Sequence, residues 1–237
     1  MIQCLEPQEC RGDSEPRFEL KLTTDRCELH RVRAWFRTHP YGFSTLYPSR
    51  RVNSVYFDTP DLASYFENLA GVASRWKIRL RWYGTDLARV DGTLEIKRKQ
   101  GLLGWKPQYK LSDFVRLDDT TWPAVRRSLR SQVPEAWRAC LDRSHCPLIL
   151  ASYTRAYYGS ADGVVRATVD VDQAVYDQRR SVRPNLDRPS PLVDRVIIEL
   201  KCVASQRERL MDVASAFPIR VERHSKYVSS VDAVCAS

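Results

Sequence analysis

Basic side chains recur at a period of two in four strand-like runs: Arg17 and Lys21 in RFELK, Lys77, Arg79 and Arg81 in KIRLR, Lys97 and Lys99 in LEIKRK, and Lys201 in IIELK. That period sends alternate residues to one face of a strand, so each run projects its cations to a single side. Three of the runs set a glutamate on the same face: Glu19, Glu95 and Glu199. Such a mixture suits a polyanion and its metal ion. Lysine supplies a movable point charge and arginine a planar fork for two phosphate oxygens, while carboxylates bind hard cations such as Mg²⁺ or Mn²⁺. An ordinary sheet with its charges in water accounts for the same residues as solvated cross-strand pairs. The pattern alone leaves both readings open.

The rest of the chain narrows the chemistry. Neither GxGxxG nor GxxxxGK[ST] occurs, so a phosphate must be held by side chains. The histidines His30, His39, His145 and His224 are dispersed without the order of a catalytic triad, and structural or surface roles are expected for them. Seven cysteines are scattered without a CxxC pair, which favours reduced thiols over disulfides or a zinc site. The net charge of +9 implies a polyanionic partner. A nucleic-acid binder would gather its cations on one exposed face among stacking aromatics, whereas these are spread over many strands, so nucleic acid is not the expected partner. No apolar stretch approaches the roughly 18 residues of a membrane span, and the N-terminus lacks a signal peptide's apolar core, so a cytoplasmic location is expected.

The elements that must position these charges read mainly as strands. Residues 1–14 read as a flexible polar tail and 15–237 as one domain, with a helical insert over 111–147. RFELKL predicts the first strand, and Thr24 or Asp25 caps a helix to about Thr38. VNSVYFDT predicts a strand, with Tyr56 and Phe57 in the core, and Thr59 and Pro60 open a short helix that Gly71 ends. Ser74 to Lys110 reads as a meander with a turn near Asp91 and Gly92 and a last strand around WKPQYKL. WPAVRRSLRSQV and PEAWRACLDR are helices of the insert, and LILASYTRAYYGS and GVVRATVDVDQAVY are strands about an Ala-Asp-Gly turn. Residues 179–192 predict an exposed loop. VIIELKCV is a strand, Ser205 and Glu208 form a capping box for the helix around RERLMDVASAF, and IRVERH is a final strand.

RFELK, NSVYFDTPDLASYFEN, KIRLRWYG, LEIKRK, SYTRAYY, VRATVDVD, IIELK and RHSKY occur in an order that resembles the vacuolar transporter chaperone (VTC) domain over about residues 15–230. That domain belongs to the triphosphate tunnel metalloenzymes, relatives of the adenylate cyclase and thiamine triphosphatase (CYTH) group. The resemblance implies an α+β fold: a closed antiparallel β-barrel of about eight strands forming a basic tunnel, with helices packed outside. The six tryptophans are then expected to pack helices onto the barrel.

The implied activity is that of an ATP-dependent polyphosphate polymerase, a phosphotransferase that moves the γ-phosphoryl group of ATP to a growing polyphosphate chain with Mn²⁺ or Mg²⁺. By motif, Lys21, Arg79, Arg81, Lys97, Arg155 and Arg166 resemble the tunnel cations, with Lys110 as a further member. Tyr153, Ser225 and Lys226 resemble groups that touch phosphate oxygens, Arg223 lies beside them, and Lys201 joins the substrate-binding set. Glu199 resembles the principal metal ligand, with Glu19 as a second candidate, while Asp170 and Asp172 either bind metal or orient tunnel arginines. Many tunnel enzymes begin with ExExK, and here Arg17 replaces the first carboxylate, which favours the VTC branch over a CYTH-type triphosphatase. A metal-dependent tripolyphosphatase or nucleoside triphosphatase, and a non-catalytic module binding polyphosphate or inositol pyrophosphate, remain the alternatives. Delivery of polymer across a membrane would need a separate membrane partner.

Overall fold

The computed structural model describes residues 17–101, 103–222 and 224–236, without the side chain of Leu103. The tail expected over 1–14 and the expected site residue Arg223 lie outside the described residues. In chain order the elements are β1 (Arg17–Asp25), α1 (Leu29–Thr38), β2 (Ser44–Asp58), α2 (Ala63–Ala70), β3 (Ser74–Tyr83) and β4 (Arg89–Val90). Then come β5 (Thr93–Gln100), β6 (Leu103–Trp105), β7 (Gln108–Lys110), β8 (Val115–Arg116), α3 (Trp122–Gln132) and α4 (Glu135–Arg143). The chain continues with β9 (Cys146–Gly159), β10 (Arg166–Asp177), β11 (Pro189–Ser190), β12 (Arg195–Val203), α5 (Arg207–Ser215) and α6 (Lys226–Cys235).

Eight strands close into an antiparallel barrel in the order β10, β12, β1, β6, β5, β3, β2, β9, and β9 pairs back onto β10. The alternation in the strands is inverted relative to a sheet that faces water. Ile78 and Leu80 of β3 and Leu94 and Ile96 of β5 are fully buried outside the barrel, in one cluster with Val125 and Leu129 of α3 and Trp137 and Leu141 of α4. Leu22, Val196, Ile198 and Leu200 pack likewise under α1 and α5, and Leu148 and Ile149 under α6. Burying one such side chain is worth roughly 1.5–3 kcal/mol, so the apolar half of each strand fastens it to the helices and the charged half faces the barrel axis.

The wall is uneven. β1 pairs with β12 along its whole length, but its other edge meets β6 only at Arg17 and Gly104. Beyond that pair the edge is met by the Leu22–Val221 bridge and by the Glu222 N–H donating to the Lys21 carbonyl. The seam therefore opens sideways between β1 and β5.

Four local expectations are corrected. The ladder to β12 keeps Thr24 and Asp25 extended, so α1 starts only at Leu29, after a 3₁₀ turn. The short helix opens at Ala63 instead of Pro60. Leu62 takes a left-handed φ of 59°, the Asp58 carboxylate accepts from the N–H groups of Ser64 and Tyr65, and Thr59 Oγ1 accepts from Ala63. The Ser205–Glu208 capping box does not form, because Ala204–Gln206 makes a 3₁₀ turn. Among the described residues IRVERH contributes one bridge and no strand. Ser225, whose Oγ accepts from the Val228 N–H, starts α6 instead.

Candidate functional site

Strand register brings the inward side chains together. Lys77 pairs with Lys97 and Arg79 with Glu95 across β3 and β5, Lys21 with Glu199 and Glu19 with Lys201 across β1 and β12, and Asp170 with Arg155 across β10 and β9. They enclose an interior of about 160 Å³, lined by eleven lysines and arginines but by two carboxylates, Glu19 and Glu199. The interior shares Glu19, Lys21, Lys77, Lys97, Lys99 and Ser225 with a cleft of about 820 Å³ at the seam, flanked by α2 and α6. A chain of phosphates therefore has a wide way in from solvent.

One part of the lining is built from arginines already bound to protein. Arg79 donates to Glu95 from Nε at 2.7 Å and lies 2.6 Å from it through Nη2, while Nη1 donates to the Tyr56 hydroxyl at 2.9 Å. Arg81 donates to Ser54 Oγ at 3.2 Å and to the Tyr153 hydroxyl at 3.1 Å. Arg155 makes a two-pronged contact with Asp170, at 2.5 and 2.6 Å, and Lys226 meets the same carboxylate at 2.5 Å. Burial alone would raise the carboxyl of Glu95, but Arg79, Arg81 and Lys106 hold it well below the usual range. Asp170 is lowered despite burial by Arg155 and Lys226, and the Tyr153 phenol despite burial by Arg155 and Arg81.

Lysines dominate the part next to the cleft, and they are less settled. Lys21 lies 3.4 Å from Glu199 and 3.5 Å from Glu19, Lys97 lies 3.2 Å from Glu19, and Lys201 lies 2.8 Å from Glu199. Lys77 meets no carboxylate among the described residues; it donates to Asn68 Oδ1 at 3.3 Å and Ser225 Oγ at 3.2 Å. Burial, then the charges of Lys97, Lys21 and Arg79, hold Lys77 well below the usual lysine range. Burial likewise brings Lys97 down to about 7 despite the opposing pull of Glu19.

Among the described residues no three histidines, cysteines or acids cluster as a metal cage. The two glutamates nevertheless fit a divalent cation that arrives with phosphate. Burial would raise both carboxyls, but Lys201 leads the neighbours that hold each well below the usual range, so both are ionised. Glu19 Oε1 is buried without a hydrogen-bond partner among the described residues, with the Lys21 ammonium 3.5 Å away. Mg²⁺ and Mn²⁺ need only one or two carboxylates when phosphate oxygens and water complete the shell. Such an ion would neutralise charge on the transferred oxygens when bound.

Of the residues singled out from sequence, Lys21, Arg79, Arg81, Lys97, Tyr153, Arg155, Glu19, Glu199, Lys201, Ser225 and Lys226 all line this interior. Lys110 does not reach it: it stands on the same row of β7 as Gln108 but past the lined interior, exposed and ion-paired with Asp91. Arg166 is exposed, paired in register with Lys201 beyond the lined interior. Asp170 and Asp172 do not share a face, because a bulge after Val171 gives Asp172 a φ of 53° and turns it outward to Arg26.

Lys106, Arg17, Trp105 and Tyr56 line the interior without having been assigned there. Tyr56 belongs to the tunnel as much as to the core, and the polar alternation Ser54-Tyr56-Asp58 against Val55 and Phe57 carries that signal. Lys106 sits in the break between β6 and β7, donates to Glu95 at 3.1 Å, and is brought down to about 8 by burial. No strand period marks it in the sequence.

No helix among the described residues is long and apolar enough to cross a membrane. Among solved structures the chain is similar to an adenylyl cyclase homologue from Hippeastrum with a dominant triphosphatase activity. The two share 13% identity with a TM-score of 0.48, over 90% of this chain and 93% of that one. A Pyrococcus horikoshii protein, PH1819, gives 13% identity and a TM-score of 0.47, over 90% and 96% of the two chains. An adenylate cyclase homologue from Vibrio parahaemolyticus gives 12% and 0.47, over 90% and 97%. No curated protein matches. The family model of the VTC domain matches residues 17–235, nearly the whole chain, and the protein belongs to the VTC domain family.

Proposed function

We propose that this VTC domain is an ATP-dependent polyphosphate polymerase that transfers the γ-phosphoryl group of ATP to the end of a growing chain inside the barrel, with Mn²⁺ or Mg²⁺ bound by Glu199 and Glu19. The observation that carries the reading is the concentration of eleven cations around a narrow interior that widens into an open cleft. A triphosphate carries about four negative charges, and cations arranged in a ring reduce the cost of taking it out of water. Phosphoryl transfer asks little covalent chemistry of a protein: donor and acceptor must lie in line, and charge on the transferred oxygens must be neutralised. Arg79, Arg81, Arg155 and Lys226 would fix the phosphates, and Lys21, Lys77 and Lys97 would balance the charge that arrives with them.

Arg17 favours synthesis over hydrolysis. It lines the interior at the position where many tunnel enzymes carry a carboxylate, so one candidate metal ligand is replaced by a phosphate-binding cation. The test is incubation of the purified protein with ATP and Mn²⁺, with products resolved on a gel stained for polyphosphate. A metal-dependent ladder, lost in Glu199→Ala, is expected. Free phosphate without a ladder would instead make the protein a tripolyphosphatase or nucleoside triphosphatase, and binding without turnover would make it a polyphosphate-binding module.

A further inference from the structure

Beyond the arginines of the interior, the inward rows of β2, β3 and β9 continue into a second cluster that none of the assignments above uses. On β3 the row runs Arg79, Arg81, Tyr83, and on β9 it runs Tyr153, Arg155, Tyr157. Arg50 of β2 stands directly opposite Arg155 in the ladder, so the two side chains share a face. The Arg50 guanidinium lies 5.0 Å from the ring centroids of Tyr83 and Tyr157 and 5.7 Å from that of Tyr47. No carboxylate or hydrogen-bond acceptor meets it among the described residues, and the residue is exposed, as are Tyr47 and Tyr83.

Two features point to what this collar holds. Arg155 is already paired with Asp170, whereas Arg50, opposite it in the ladder, is a cation with no anion of its own among the described residues. The ring faces nearest Arg50 are occupied by its guanidinium, so the collar offers the N–H edge of an arginine held in place, not a free platform for a base. A caged guanidinium sheds hydration at its faces and keeps its planar fork for phosphate oxygens.

We infer that Arg50, caged by Tyr47, Tyr83 and Tyr157, is a second polyanion-binding site that grips the part of a phosphate chain lying outside the tunnel. The inference rests on the proposed polyphosphate reading. It makes the protein discriminate by length. Lys77 at the cleft and Tyr83 at the collar are six residues apart on one strand, about 20 Å at roughly 3.3 Å per residue. Tripolyphosphate is too short to touch both ends, whereas a long chain reaches from one to the other.

The test is the affinity of the full chain for tripolyphosphate, for long-chain polyphosphate and for ATP, with Arg50→Ala and Tyr83→Leu beside the wild type and thermal melts as a check of folding. Loss of one charge-assisted contact should weaken long-chain binding about tenfold in Arg50→Ala, with tripolyphosphate changed less than about twofold. Tyr83→Leu should show a smaller loss of the same kind. Equal losses for the long and short ligands, or no loss for either, would overturn the collar and leave the tunnel reading standing. A selective loss of ATP affinity would overturn it in favour of a nucleoside site. If the wild type binds none of the three, the tunnel reading fails and the collar with it.

Discussion

The two parts of the tunnel wall hold their cations in different ways. Arg79 and Arg155 are clamped by carboxylates at 2.5–2.7 Å, and Arg81 by hydroxyls, before any ligand arrives. At the cleft, Lys77 meets no carboxylate among the described residues and Lys97 shares Glu19 with Lys21. Buried arginine can be stabilised only by a partner, because it does not give up its proton, whereas a buried lysine does so when the anion is missing. The arginine part is therefore scaffold and site at once, and the lysine part completes its electrostatics only with phosphate present. Substitutions in the two parts should fail in different ways.

The largest effect is expected from Arg155→Ala. It leaves Asp170, which is fully buried, with Lys226 as its remaining cation, and breaking a buried pair in this way costs about 3–5 kcal/mol. Urea unfolding should show that loss without ligand. Lys97→Ala should be the opposite case: stability within about 1 kcal/mol of wild type, because a desolvated lysine is removed, but tripolyphosphate affinity down about tenfold. Equal destabilisation by the two variants would erase the distinction between scaffold and receiver.

A smaller effect follows from pH. With Lys97 at about 7 against an ordinary 10.5, the folded chain binds fewer protons than the unfolded one between those values. Ligand-free stability should accordingly rise with pH across that window. Polyanion affinity should move the other way, falling as Lys97 and Lys106 lose their protons through about 7 and 8. Parallel melts and titrations over this range check both signs. Smallest of all, Lys110→Ala should change neither stability nor binding measurably, since its pair with Asp91 is exposed and lies past the lined interior.

The barrel and most of its lining were legible because a period of two is a geometric fact: once a strand forms, Lys77, Arg79 and Arg81 must share a face. What that face looks at was not legible from spacing, since an exposed sheet carries the same pattern, and the ordered motifs decided it. Two kinds of residue escaped. Lys106 lies in a chain break between short strands, where no period applies, and Lys110 has a suitable motif position but falls where β7 is exposed. The turning of Asp172 away from Asp170 depends on a bulge that the sequence VRATVDVDQAV does not announce. At the C-terminus the alternation of IRVERH suggested a strand, but the edge of β1 accepts only one bridge before Ser225 starts a helix.

The most direct test of the contrast is calorimetric titration of tripolyphosphate into wild type and Lys97→Ala at about pH 7.5, each in two buffers of different ionisation enthalpy, which reads the protons exchanged on binding. A phosphate next to Lys97 favours its charged form, so the wild type should take up more protons per ligand than the variant, and the difference should vanish below about pH 6, where Lys97 is already protonated. Equal proton exchange in the two proteins at the higher pH would mean that the lysine part does not receive the phosphates.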